Sequence, residues 1–499
     1  MKEYINIIGA GLAGSEAAYQ IAKRGIKVKL YEMKPTKFSP AHSNSNFAEI
    51  VCSNSFKSNL LTNACGLLKE ELRRLDSLLI KIADATAVPA GQALAVDREE
   101  FSKKVTDILK GNSNIEIINK EVVSKYDDTI KENISSDNKI FFEDLIKDAI
   151  TIIATGPLTS DSLSIGIKKL TGENELHFYD AAAPIIEKDS IDFNIAFYGD
   201  RYEQEKKKDE TIEEWHKRIN EYKMPKSQKE DNENRINTNS YINLPLNKEE
   251  YEKFVQELIN AEVVTPHDFE KGEIFEGCMP VEVMAKRGID TLRFGPLKPV
   301  GFDDPRTGKR PYAVVQLRQD NTNATLYNMV GFQTNLKYGE QKRVFSLIPG
   351  LKDAEFVKYG VMHRNTFINS SELLDSTYNF KKNTNIYFAG QITGVEGYVE
   401  SISSGMVAAL NAANRINNCN SNQNEDNIIK LNDKLQSDKK IVFNNFTMTG
   451  ALADYISTKK DNFQPMNANF GILPELEGKR IKDKKKRYEE LSKRALKNL

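Results

Sequence analysis

The sequence predicts an α/β protein: a parallel sheet with helices on its faces, interrupted by an α+β segment and resumed near the C-terminus. Three observations predict it. The chain opens on a strand–glycine–helix–strand unit over "YINIIGAGLAGSEAAYQIAKRGIKVKLYE". A second apolar strand, "AITIIATGP" (149–157), again runs into a glycine turn. A third strand–turn–helix, "NIYFAGQITGVEGYVESISSGMVAALNAA" (385–413), follows only after a long stretch of different character.

Each element has a local reason. Residues 4–8 form an apolar run suited to a strand buried on both faces. Gly9, Gly11 and Gly14 then stand in the G-x-G-x-x-G pattern within Gly9–Ala10–Gly11–Leu12–Ala13–Gly14. Gly9 permits the tight turn, Gly11 lets backbone approach a pyrophosphate, and Gly14 allows close helix–strand packing. The helix that follows offers N–H donors and partial positive charge, and Gly25 closes it. The next strand ends at Glu32, eighteen residues past Gly14, where a carboxylate would accept hydrogen bonds from ribose hydroxyls. Strand, glycines, helix, strand and acid in this order predict a dinucleotide site. The unit alone fits FAD or NAD. Thr155 and Gly156 after the second strand, and Gly390 and Gln391 after the third, would return the chain to the same ligand and favour extended FAD. The fold class is therefore a discontinuous Rossmann-like FAD-binding domain with an inserted α+β domain.

"GLLKEELRRLDSLLIKIADA" (66–85) reads as one helix inserted early. Residues 200–240 are charged and nearly free of aliphatics, hold the only tryptophan, Trp215, and read as an exposed insertion with a helix near 210–222. A helix over 248–262 precedes strand-rich sequence such as "AVVQLRQD" and "LYNMVGFQT". The divisions predicted are 1–197 for the first part of the FAD domain, 198–375 for the inserted domain, and 376–499 for the second part. "NNCNSNQNEDN" (417–427) reads as a polar link holding an inert Cys419, and the tail from Gly478 as a basic helix.

Bulk composition narrows the classes. Lys+Arg at 70 and Asp+Glu at 71 leave a net charge of −1, which excludes a globally basic nucleic-acid binder but permits a local basic face. No run approaches the ~20 apolar residues of a membrane span, and the N-terminal strand lacks the features of a signal peptide. Cys52, Cys65, Cys278 and Cys419 form no CxxC pair and no metal-ligand spacing with histidine, so no metal is expected. Free thiols and a cytoplasmic location are the expectation.

"EIFEGCMPVEVMAKRG" places Cys278 between Gly277 and Met279–Pro280. That run suits neither a helix interior nor a central strand, because Gly costs backbone entropy and Pro lacks an N–H. Cys278 is expected on a turn, either as a small apolar side chain in a loop or as a thiolate aimed at a ligand. Lys286 and Arg287 follow it, and nearby cations favour the thiolate. Cys52 sits among Ser, Asn and Lys in a loop before a helix, and Cys65 in an apolar helix is expected to be packing.

Long segments carry a resemblance: "PAHSNSNFAEIVCSNS", "VPAGQALAVDREEF", "FYDAAAPIIEKDSID", "FEGCMPVEVMAKRG", "GPLKPVGFDDPRTGKRPYAVVQLRQD", "YGVMHRNTFINS" and "FAGQITGVEGYVES", with the N-terminal unit. Together they resemble the bacterial folate- and FAD-dependent tRNA (uracil-5-)-methyltransferases over nearly the whole chain. The resemblance implies transfer of a one-carbon unit from 5,10-methylenetetrahydrofolate to C5 of a uridine, in the family usually position 54 of the tRNA T-loop. Reduced FAD would supply electrons and NAD(P)H would restore them. Carried onto matching positions, Cys278 is the nucleophile and Cys52 its acid/base partner. His363, Arg287, Arg310, Arg318, Lys342 and Arg343 are candidates for contact with folate or RNA phosphates, with core packing or surface charge as the alternative.

The chain departs from the family's commoner pattern in its longer 200–240 insertion, in Leu244 where a cysteine is frequent, and in Asn335 where a histidine is expected. A ribosomal RNA uridine is the nearest alternative target, and a small-molecule FAD oxidoreductase a more distant one. Oligomeric state is not legible.

Overall fold

The computed structural model of the chain describes residues 2–39, 41–131, 139–172, 176–201, 211, 214, 241–264, 273–274, 279–304, 306–421, 440–461, 463–478 and 481–499. The helix expected near 210–222 lies outside the described residues, apart from Thr211 and Glu214.

The opening strand, Tyr4–Ile8, sits at the centre of a five-stranded parallel sheet. The spatial order is Ile386–Phe388, Thr151–Ile153, Tyr4–Ile8, Lys27–Tyr31, Ile115–Ile118. Tyr4 faces Lys27, Asn6 faces Thr151, Thr151 faces Ile386 and Val28 faces Ile115, all in parallel register. The chain thus leaves this sheet after Ile153 and contributes a further edge strand more than two hundred residues later. Ile5, Ile7 and Ile152 are fully buried, as helices on both faces require.

The helix Leu12–Ala22 packs against the glycine turn on one side and the long helix Tyr398–Ser421 on the other, with one glycine at each contact. A Cβ at Gly14 would lie 1.9 Å from the Gly9 carbonyl oxygen, and one at Gly405 would lie 2.3 Å from that of Ala13. Gly9 itself holds φ +98°, open to glycine at little cost. The Tyr398 helix runs further than the sequence predicts: residues 417–421 of the expected polar link are its last turn.

The predicted helix over 66–85 is two helices, Ala64–Arg74 and Leu78–Ala85. Asp76 takes a left-handed conformation, φ +61°, and Ser77 caps the second helix through Ile80 N. The break is held from the first helix. The buried Glu16 carboxylate accepts hydrogen bonds from Ser77 Oγ (2.8 Å), Leu79 N (3.0 Å) and Leu78 N (3.3 Å). Burial pushes the Glu16 carboxyl up, against these donors, which hold it down.

A second apolar core is built from Ala183 to Ala354 around a six-stranded antiparallel sheet. Its order is Phe197–Tyr198, Tyr241–Leu246, Ala313–Gln319, Leu326–Met329, Ile185–Glu187, Phe356–Lys358. The helix Lys248–Asn260 covers one face with Tyr251, Phe254, Val255 and Leu258, at the i, i+3, i+4, i+7 spacing of an amphipathic helix. Asn247 and Glu250 form a capping box at its start. Leu244, fully buried, is part of this core. The first core, by contrast, draws on residues 5–167 and 367–495. A three-stranded sheet joins Leu176–Ala181 and Met362–Phe367, from the chain segments between the two cores, with Glu273–Ile274 from within the span of the second. Among the described residues no helix is long and apolar enough to cross a membrane.

Gly405→Ala is expected to destabilise the fold by ~1–3 kcal/mol, because the methyl group overpacks the contact with Ala13. The urea midpoint of unfolding checks this; an unchanged midpoint would mean the two helices stand further apart.

Candidate functional site

A cleft opens along the C-terminal ends of the parallel strands, where ligands of open α/β sheets bind. Gly9, Ala10, Gly11, Leu12, Ala13, Glu32, Thr155, Gly156, Gly390 and Gln391 line it together, with Met33, Lys34, Val51, Tyr398 and Ser401. Gly14 stands behind the turn and serves the packing described above. The cleft encloses about 1120 Å³ including its mouth. Its lining runs from the glycine turn past Glu32 to Thr155 and Gly390, a reach that suits an extended ligand.

The donor set matches a dinucleotide. No side chain caps the Leu12–Ala22 helix, so its first N–H groups are not taken up by a capping residue. A Cβ at Gly11 would meet no protein atom within 4 Å, because that side of the residue opens into the cleft. Glu32 accepts from Ala10 N at 2.9 Å and Lys34 N at 3.0 Å, which fixes its carboxylate against the glycine turn. A carboxylate offers about four acceptor positions, so capacity remains for ribose hydroxyls.

Cys52 lies beside this cleft on a half-buried loop. Its amide donates to Tyr398 Oη at 3.1 Å, and its Sγ lies 3.6 Å from the Ala181 carbonyl oxygen. Arg98 Nη2 donates to the Cys52 carbonyl (2.9 Å) and Nη1 to that of Ile50 (3.0 Å). The same guanidinium is paired through Nε with Asp320 at 2.9 Å, in a site where the two side chains are 13% and 5% exposed. Burial is the largest influence on the Arg98 pKa and lowers it, but the Asp320 charge and hydrogen bond, with Tyr398 and Cys52, together outweigh it and hold the group above its ordinary value. On the other side of the loop, Arg318 Nε donates to Asn54 Oδ1 (2.9 Å) and Nη2 to Ser53 Oγ. Asn54 in turn donates to Val96 O and Gln319 O.

Arg318 is thus a buried support of the cysteine loop. The remaining basic candidates are exposed: Arg287, Arg310, Lys342 and Arg343, the last paired with Glu340 and Glu257. His363 lies on the strand Met362–Phe367, its backbone opposite Asp180. Asn335 donates through its amide to Glu282 Oε1 and through Nδ2 to Val264 O, so it ties two segments together. Cys278 lies outside the described residues. The helix that follows it, Val281–Lys286, is docked by Val281 N on the Gln333 carbonyl at 2.7 Å. Cys65 is packing: burial pushes its thiol up to about 11, and Sγ lies 3.4 Å from the Phe56 carbonyl.

Sequence reading missed Tyr398, Arg98 and Lys358. Lys358, at the end of its strand, shares the electrostatic environment of Cys52. Burial and then the Arg98 charge lower its pKa, while Glu49, Asp320 and Cys52 oppose them. The signal for Tyr398 was its place at the first turn of a helix after a glycine turn. Arg98 and Lys358 carry no local signal.

Fold and cleft define a dinucleotide-binding α/β protein with a cysteine loop braced at the cleft's edge. The profile of the family described as Glucose inhibited division protein A matches residues 4–230 and 219–420. The chain is 56% identical over 500 residues to the methylenetetrahydrofolate--tRNA-(uracil-5-)-methyltransferase TrmFO of Acetivibrio thermocellus, covering 100% of this chain and 98% of that one. It is 51% identical to the TrmFO of Bacillus pumilus, with the same coverage. Among solved structures it is similar to GidA of Aquifex aeolicus, with a TM-score of 0.60 at 15% identity, over 99% of this chain and 75% of that one. That likeness is one of fold. The chain belongs to the TrmFO family of methylenetetrahydrofolate--tRNA-(uracil-5-)-methyltransferases.

Gly11→Val is expected to fold normally, since no protein atom stands in the way, yet to purify without a dinucleotide. Flavin absorbance beside a thermal melt checks this; a fully loaded, yellow variant would displace the fingerprint from the ligand.

Proposed function

We propose that this protein methylates C5 of a uridine in tRNA, at position 54 of the T-loop, with 5,10-methylenetetrahydrofolate as one-carbon donor. The observation that carries the reading is the hydrogen bond from the Cys52 amide to Tyr398 Oη. It ties the cysteine loop to a ring that lines the dinucleotide cleft. The open side of Gly11, the uncapped helix and the placement of Glu32 fit FAD. FAD, when bound, supplies the electrons that turn a methylene into a methyl group, and NAD(P)H restores them. Thr155, Gly156, Gly390 and Gln391 would hold the far part of that cofactor.

The chain's own residues supply covalent and proton chemistry. C5 of uracil is a poor nucleophile until a thiolate adds to C6 and leaves an enolate. Cys278 is assigned that addition. Once C5 carries the one-carbon unit, its proton must leave before the C6 thiolate is expelled, and Cys52 is assigned to take it. The braces at Arg98 and Arg318 keep the Cys52 loop in place for that step. The relatives' names specify tRNA, which favours tRNA over ribosomal RNA, and the full-length likeness disfavours a small-molecule oxidoreductase. The 198–375 segment is proposed as an inserted domain facing RNA and folate, with its core starting as early as Ala183. A cytoplasmic location is proposed with it.

The test offers purified protein, NADPH and methylenetetrahydrofolate labelled in the transferable carbon, with unmodified tRNA or rRNA separately. Label at C5 of one tRNA uridine is expected; label in rRNA alone would move the target. Cys278→Ala and Cys52→Ala are each expected to lose methylation while keeping flavin. Flavin loss in either would make that cysteine structural.

A further inference from the structure

The helix Tyr338–Phe345 begins with an aromatic ring that the fold leaves in solvent: Tyr338 is 57% exposed. It is the outer member of a stack. Its ring lies 5.2 Å from that of Tyr359 with planes inclined by 24°, and Tyr359 lies 5.6 Å from Phe356 at 13°. Phe356 continues inward to Phe345, at 6.4 Å. The stack is fixed from beneath. Buried Gln341, on the same helix, accepts from Gly360 N and donates to Gly360 O, both at 2.8 Å, which clamps the chain next to Tyr359.

Charge accompanies the ring. Lys342 stands four residues after Tyr338, on the same helix face, and is exposed with no carboxylate partner among the described residues. The neighbouring cations differ in this respect: Lys337 is paired with Glu262, and Arg343 with Glu340 and Glu257. A flat ring presented to water beside an unneutralised ammonium is the combination that binds single-stranded nucleic acid. The ring stacks a base and the cation meets the backbone. A buried, fully paired aromatic cluster would instead be core.

Position supports the same occupant. Lys358, between Phe356 and Tyr359, lies in the electrostatic surroundings of Cys52. Val281, three residues after Cys278, is bonded to Gln333, and Asn335 to Glu282, just before Tyr338. The platform's chain segments therefore carry both a residue in the surroundings of Cys52 and the partners of the helix Val281–Lys286. None of Tyr338, Tyr359 and Phe356 lines the dinucleotide cleft, where a folate pterin has to lie to exchange electrons with a flavin. Chemistry on a base in a folded RNA requires that base to leave its stack, and its neighbours then lose a stacking partner.

We propose that the Tyr338–Tyr359–Phe356 stack is a platform for an unstacked nucleobase of the tRNA loop next to the target uridine, with Lys342 on the adjoining phosphate. This rests on the tRNA reading above. The experiment uses the full-length flavin-loaded protein, unmodified tRNA transcript, and the variants Tyr338→Ala, Tyr338→Phe and Lys342→Ala. Tyr338→Ala should raise the KM for tRNA on the order of tenfold, the scale of one lost base stack, with kcat and the KM for methylenetetrahydrofolate retained. Tyr338→Phe should restore the KM, and Lys342→Ala should lower the slope of log Kd against log salt by about one. A tRNA KM in Tyr338→Ala equal to that of the parent protein would overturn the proposal. So would a defect that falls on the folate KM, which would make the stack a pterin site, or on kcat. Absence of tRNA methylation by the parent protein would instead refute the tRNA reading itself.

Discussion

The arrangement depends on one buried ion pair. Arg98 belongs to the first core and Asp320 to the end of a strand of the second sheet, and their contact is nearly closed to water. A guanidinium in such a place needs its charge answered, and Asp320 answers it through Nε. The Nη groups remain, and they are answered by the carbonyls of Ile50 and Cys52. Removing one partner from a buried pair costs on the order of 3–5 kcal/mol, because the other charge is left in a poor solvent. The cysteine loop is therefore as fixed as the pair. Asp97, next in sequence to Arg98, strengthens the junction by accepting from Thr322 N and Oγ1, both at 2.8 Å.

On this frame the two halves of the proposed chemistry meet. Close approach at Gly405 draws the first helix onto the long C-terminal helix, and that helix begins at Tyr398. Tyr398 Oη then accepts from the Cys52 amide, while its ring forms part of the cleft wall and lies 5.6 Å from Phe56. The packing that shapes the dinucleotide cleft thus also sets the height of the cysteine loop beside it. Arg318 completes the loop's support from the second sheet through Ser53 and Asn54.

Much of the fold was legible because its signals are local. The run Tyr4–Ile8, the glycine turn and the strand ending before Glu32 appear where apolar pattern and backbone requirements place them. So does the helix after Asn247, whose capping box is written in four residues. Elements set by distant partners were not legible. The break at Asp76 depends on Glu16, 61 residues from the Ser77 hydroxyl it holds, and a helical pattern on both sides of it conceals the interruption. The cleft residues follow from glycine turns after strands, whereas Arg98 and Arg318 look like surface cations until the fold buries them. Lys342 and Arg343, adjacent in sequence, part only when the carboxylates around them are placed.

The most direct measurement compares single-turnover methyl transfer to tRNA in Arg98→Lys with the parent protein, alongside flavin reduction by NAD(P)H. Lysine keeps the charge opposite Asp320 but cannot reach both loop carbonyls from one planar fork. The account predicts flavin content and reduction near those of the parent protein, with transfer slowed on the order of 10²-fold, the scale of a misplacement near 1 Å. Transfer at the parent rate would contradict it, since the Cys52 loop would then not depend on the pair that braces it.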